Sequence, residues 1–236
     1  MNYKISEMPK EQRPYEKCLR EGAAALNDSE LLAVILKNGT KGKSSLALAE
    51  ELLRVMAKTP YPGLLGLLHL SVRELTQIQG IGTVKAIQLK CIGELSKRIA
   101  VSAAKPMLNY RQPVTIAQYY MEQLRHEEQE QLVCMFFDNA MHLLGEQVLS
   151  RGTVNSAVIT PREIFIEALR HHAVCIVLIH NHPSGDPSPS SEDLLTTERI
   201  FRAGQMLGVQ LVDHLIIGDQ SYISLREQGL FKGFEH

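Results

Sequence analysis

The chain has 236 residues, 44% of them hydrophobic and 22% charged, with 25 Lys/Arg against 26 Asp/Glu. That length can bury more than one core, and the balance is that of an ordinary globular protein. No run approaches the ~18–20 uninterrupted apolar residues of a spanning helix, and the opening MNYKISEMPKEQRPYEK holds no apolar export signal, so the expectation is no membrane association and a cytoplasmic location.

The near-neutral total hides a split. Residues 1–105 carry 16 Lys/Arg against 10 Asp/Glu, net +6, and residues 106–236 carry 9 against 16, net −7. Such asymmetry suggests two domains with different partners. The basic half would suit a polyanion such as nucleic acid, or it is simply a solvated surface. The cysteines Cys18, Cys91, Cys134 and Cys175 form no CxxC pair and are read as reduced thiols.

In chain order, the first half reads as helices. Asn27-Asp28-Ser29 is a cap before ELLAVILK, SSLALAEELLRVMAK is a long amphipathic helix after NGTKGK, and Ser71 caps VRELTQI. The turn Gly80-Ile81-Gly82 leads into TVKAIQLKCIGELSKRIA, and VSAAKPMLNYRQPV lacks either periodicity. The domains are therefore expected at 1–100, with two helices joined by a tight turn over 71–98, a linker over 101–113, and a second domain over 114–236. That second half alternates: TIAQYYMEQLRHEE helical, QLVCMFF and MHLLGEQVLSRG strands, then a helix opened by Thr160-Pro161-Arg162-Glu163. VCIVLIH reads as a buried strand, Ser190 to Met206 as a helix, and VQLVDHLIIG and YISL as strands. Helices interspersed with strands make this an α/β domain.

The chemistry concentrates in IHNHPSGDPSPSSED, residues 179–193. Residues two apart on a strand share a face, so His180 and His182 can converge on one point. Asp193, at the start of the next helix, can add a carboxylate, and two His plus one carboxylate with an open position is a catalytic zinc pattern. The competing reading is a strand end and a capping box, in which Ser190 and Asp193 merely start a helix. Spacing alone leaves both open. Asp213-His214 is either a support behind a metal or a satisfied core position, and His171-His172 suits a helix C-terminus. Gly42-Lys43-Ser44 resembles the end of a phosphate loop, but Lys37 stands where its first glycine belongs.

His180-x-His182, seven residues, Ser190, two residues, Asp193 matches the JAMM (MPN+) metalloprotease motif at every specified position. With SRGTVNSAVITPREIFIEAL before it, LVDHLIIG after it and RPYEKCLREGAAALNDSELLAVILKNGTKGKS near the start, the chain resembles the RadC family over nearly its whole length. The resemblance implies an all-helical N-terminal domain with a helix-hairpin-helix element, followed by a JAMM-type, cytidine-deaminase-like α/β zinc domain. It implies Zn2+ held by His180, His182 and Asp193 with water as fourth ligand, Ser190 stabilising an oxyanion, and a glutamate at a strand start as general acid/base. Glu130 has that placement; Glu127, Glu128 and Glu146 compete with it. The implied function is a zinc-dependent peptidase- or isopeptidase-like hydrolase acting on a protein or peptide. The alternative is a DNA-binding repair or recombination accessory protein whose zinc domain is non-catalytic. ELTQIQGIGTVKAIQLK resembles a helix-hairpin-helix motif, whose backbone amides at a helix start meet a DNA phosphate. Gly80, Ile81 and Gly82 would form that turn, and Lys85 would add a phosphate contact.

Overall fold

A computed structural model describes residues 8–40, 42–105, 108–152 and 160–234. Two compact units divide the chain, residues 1–96 and 97–236.

In the first unit, capping chemistry sets the helix starts. Helix α1, Pro14–Glu21, opens on proline and closes at Gly22, whose φ is +86°. Helix α2, Asp28–Leu36, starts at Asn27, whose side chain accepts from the Glu30 amide while Glu30 returns a bond to the Asn27 amide. Ser44 caps α3, Ser45–Met56, through the Ala47 amide. A short α4, Gly66–His69, and α5, Val72–Thr76, follow; α5 opens on a reciprocal Ser71/Glu74 cap. Leu32, Leu48, Leu52, Met56, Leu75 and Leu89 are buried together as the core of this unit. Helix α6 runs Thr83–Ala104. The linker expected from residue 101 therefore begins later: Val101-Ser102-Ala103-Ala104 contains no breaker, and the helix continues through it.

The second unit opens with α7, Pro113–Leu124, proline again taking the first turn. Among the described residues, five strands follow in a single sheet: β1 Glu130–Phe137, β2 Leu143–Gly152, β3 Cys175–Asn181, β4 Gln210–Ile217 and β5 Tyr222–Ser224. Their order is β2-β1-β3-β4-β5. Only β3 and β4 are parallel, as their helical crossover requires. Helix α8, Pro161–Arg170, precedes β3, and α9, Ser191–Leu207, links β3 to β4. Alternation divides the strands between two cores. Leu132, Cys134, Phe136, Ile176 and Leu178 pack with residues of α8 and α9, whereas Val133, Met135, Phe137, Val177 and Ile179 pack with residues of α7. The sheet thus lies between α7 and the α8/α9 pair, and His180 falls on the α9 side. Among the described residues, no helix is long and apolar enough to cross a membrane.

Candidate metal centre

The centre forms where the parallel pair ends, at the carboxyl edge of β3 and the first turn of α9. Strand alternation carries His180 and His182 to one side. The loop after His182 returns the chain so that Ser190 caps α9 and Asp193 occupies its third position. His180 Nε2 lies 2.9 Å from His182 Nε2 and 3.3 Å from Asp193 Oδ1, and His182 Nε2 lies 3.3 Å from Asp193 Oδ2. These are the His and carboxylate atoms able to hold one ion among the described residues.

The donor set fits zinc. A tetrahedral ion with bonds of ~2.0–2.1 Å has ligand-to-ligand edges of about 3.3 Å, close to all three separations. His182 Nδ1 faces the Asp186 carbonyl at 2.8 Å. A carbonyl only accepts, so Nδ1 carries the hydrogen, and a neutral His182 turns a bare Nε2 toward the centre. Burial alone would raise the Asp193 carboxyl, but bonds from His180 and His182 hold it well below the usual carboxylate range. The Asp193 carboxylate in turn holds His182 above its ordinary value, against the opposite pull of burial. A carboxylate in the first turn of α9 also suits the positive end of the helix dipole.

The two sequence readings of Ser190-x-x-Asp193 describe one object. The Ser190 hydroxyl and amide donate to Asp193 Oδ2 at 2.6 and 2.7 Å, and the Asp193 amide donates to Ser190 Oγ at 3.2 Å. The cap orients the carboxylate that faces the histidines.

Of the four glutamates considered, Glu130 is the one brought to the centre. The β1/β3 ladder ends at the pair Leu132 and His180, and Glu130 stands two residues before Leu132 at the start of β1. Glu130 lines a pocket of about 70 Å³ with His180, Asp193 and His214. Burial raises its carboxyl above the ordinary value; His180 and His182 pull it back, and Asp193 adds to the rise. Glu127 instead accepts from Lys97 and from Gln131 Nε2. Glu146 pairs with Met135 and takes the Tyr120 hydroxyl, on the α7 side of the sheet.

Asn181, between the two histidines, points the opposite way and is buried. Its Oδ1 accepts from the Gln131 amide at 2.8 Å, and its Nδ2 donates to the Gln129 carbonyl at 3.3 Å. It therefore anchors the segment that carries Glu130. The other residue that sequence reasoning undervalued is His214, on β4: its Nε2 lies 2.8 Å from His180 Nδ1 and its Nδ1 lies 2.7 Å from Thr197 Oγ1. Burial pushes His214 well below its ordinary value, so it is neutral. The signal available in the sequence was a polar pair inside an apolar strand; the distance to His180 was not. Asp213 is occupied elsewhere, taking the Ser224 hydroxyl at 2.6 Å and the Arg226 amide at 3.1 Å. His171 stacks on Phe136 at 4.6 Å between ring centres.

In the first unit, Gly80 has φ +102°, Ile81 is buried, and Gly82 sits in open space before α6. The Lys85 ammonium donates to the carbonyls of Asn38, Gly39 and Gly80 at 2.6, 3.2 and 3.3 Å. Its three N–H groups thus tie the loop after α2 to the turn before α6, rather than standing free for a phosphate.

Comparison with known proteins agrees with this geometry. A family model described as the RadC-like JAB domain matches residues 110–230, and one described as UPF0758 N-terminal matches residues 5–87. A UPF0758 protein of Bacillus licheniformis is 41% identical over 226 residues, covering 96% of this chain and 99% of that protein. One from Desulfitobacterium hafniense is 42% identical over 233 residues, covering 98% and 100%. One from Desulforamulus reducens is 40% identical over 226 residues, covering 96% and 97%. The likeness runs through both units, and the chain belongs to the RadC family of UPF0758 proteins, with a JAB domain carrying its His-His-Asp cluster.

Proposed function

We propose that this chain is a zinc-dependent hydrolase of amide bonds, peptidase- or isopeptidase-like, with His180, His182 and Asp193 as the metal ligands. The observation that carries the reading is the convergence of those three groups, two of which, His180 and Asp193, line one small pocket with a half-buried acid, Glu130. When bound, zinc supplies a Lewis acid that polarises an amide carbonyl and acidifies water. Glu130, whose carboxyl burial raises above its ordinary value, is suited to accept a proton from water and return it to the leaving amine. The Ser190 hydroxyl donates to Asp193 Oδ2 in this structure, and it would serve the charge that develops on the carbonyl oxygen by turning from that bond. His180 and His182 would hold the ion beside Glu130.

The test begins with metal content. Purified protein is expected to hold about one zinc per chain, lost in a His180→Ala/His182→Ala variant. A peptide and isopeptide screen then follows, in which Glu130→Ala keeps zinc but loses about 10²–10⁴ in turnover. Failure to take up zinc, even on reconstitution, sinks the reading.

A second reading concerns the first unit alone. The open space at Gly82, before the exposed first turn of α6, supports nucleic-acid phosphate as the ligand of the amides there. A protein partner for the second unit and DNA for the first are compatible.

A further inference from the structure

We propose that Thr197 and His214 are positioning residues that fix His180 in the one tautomer able to turn a bare nitrogen toward Asp193 and His182. This rests on the reading of those three residues as a metal centre.

The argument follows hydrogens along a chain of bonds. Thr197 Oγ1 lies 2.5 Å from the Asp193 carbonyl oxygen. Two oxygens that close need a hydrogen between them, and a carbonyl has none, so the single hydroxyl hydrogen of Thr197 is committed there. At its contact with His214 Nδ1, 2.7 Å away, Thr197 Oγ1 can then only accept, so His214 Nδ1 carries a hydrogen. A neutral imidazole has one donor and one acceptor. His214 Nε2 is therefore the acceptor and takes a hydrogen from His180 Nδ1 across 2.8 Å. With the hydrogen of the neutral ring held on Nδ1, Nε2 is the nitrogen left to face the centre and take a metal.

The placement is specific. Thr197 sits one turn after Asp193 on α9, so the relay begins on the backbone of one ligand and ends on the ring of another. Both Thr197 and His214 are buried, which removes water as a substitute partner for either. With His182 held by the Asp186 carbonyl, both imidazoles are set before any ion arrives. Reversing a single bond of the relay would put a hydrogen on His180 Nε2, where it would have to be displaced for a metal to bind.

The experiment uses the full chain and two readouts. In the first, zinc affinity is measured by competition with a chromophoric chelator for wild type, Thr197→Val and Thr197→Ser. Thr197→Val keeps the shape and removes the acceptor; it is expected to weaken zinc binding by about 10- to 100-fold. Thr197→Ser restores the hydroxyl and is expected to restore most of the affinity. In the second, long-range ¹H–¹⁵N spectra of metal-free wild type report which His180 nitrogen bears the hydrogen; Nδ1 is expected. A His180 Nδ1 that bears no hydrogen overturns the proposal, and so does Thr197→Val binding zinc as tightly as wild type. The tautomer readout needs neither zinc nor a variant, so it decides the proposal even if Thr197→Val does not fold. Absence of zinc binding in wild type would instead remove the metal-centre reading and the proposal with it.

Discussion

The Gly80-Ile81-Gly82 turn shows how two identical residues separated by one position have different jobs. At Gly80 the backbone is left-handed at φ +102°, and an added Cβ would stand 2.7 Å from Thr40 Cγ2. Gly80→Ala is expected to destabilise the first unit by about 1–3 kcal/mol, measured by chemical denaturation followed by circular dichroism. At Gly82 nothing lies within 4 Å of the same added atom, so Gly82→Ala should stay within about 0.5 kcal/mol of wild type. If the amides there meet phosphate, Gly82→Ala weakens binding of a labelled DNA duplex in fluorescence anisotropy without moving the denaturation midpoint. No binding by wild type at low salt refutes the nucleic-acid reading. The His-His-Asp cluster was legible in the sequence because each member depends on short-range geometry: two-residue alternation for His180 and His182, and the third position of a capped helix for Asp193. Thr197 and Asn181 were not legible as parts of the site, and for His214 the sequence left support of a metal and a core position both open. Their meaning lies in contacts across 17 to 50 residues of sequence, which no local pattern encodes.

At the scale of helices and strands, the start signals proved more informative than the stop signals. Asn27, Ser44, Ser71 and Ser190 each accept a bond from an amide in the first turn, because a small polar side chain has few better places to go. The ends were less readable: α6 overran its expected limit for want of a breaker, and α7 stopped at Leu124 before the expected HEE. Helix α2 offers a direct test of how its cap is reinforced. Glu30 caps the Asn27 amide at 2.9 Å and pairs with Lys17 at 2.8 Å. Burial would raise its carboxyl, but the Lys17 and Asn27 bonds hold it below the ordinary value. A carboxyl with a lowered folded pKa stabilises fully above its unfolded value of about 4.3, and that contribution is lost as pH falls through the folded value. Glu30→Gln should therefore cost about 0.5–1 kcal/mol at pH 7, a gap that closes as the solution is taken below about pH 4. Denaturation curves for the pair at both pH values check this; a gap that persists in acid would mean the loss is one of packing.

For the whole molecule, the division at residue 96 separates two kinds of chemistry. The first unit is built from helices and carries 13 Lys/Arg against 10 Asp/Glu, net +3, and the second holds the His-His-Asp cluster. Zinc should therefore act locally. At a free concentration 100 times Kd it should stabilise its own unit by about 2.7 kcal/mol. Hydrogen exchange followed by mass spectrometry is expected to show the gain in β3, the loop after it and the first turns of α9, with residues 8–96 unchanged. Equal protection gained in both units would refute local action. The histidines of β3 and the asparagine between them face opposite sides of one strand, and each side has its own task. A one-residue deletion within β3 would exchange the two, presenting an amide to Asp193 and imidazoles to the backbone at Gln131. The spacing of the centre thus obeys a parity rule: shifts by odd numbers forfeit the ligands and the Glu130 anchor in a single stroke.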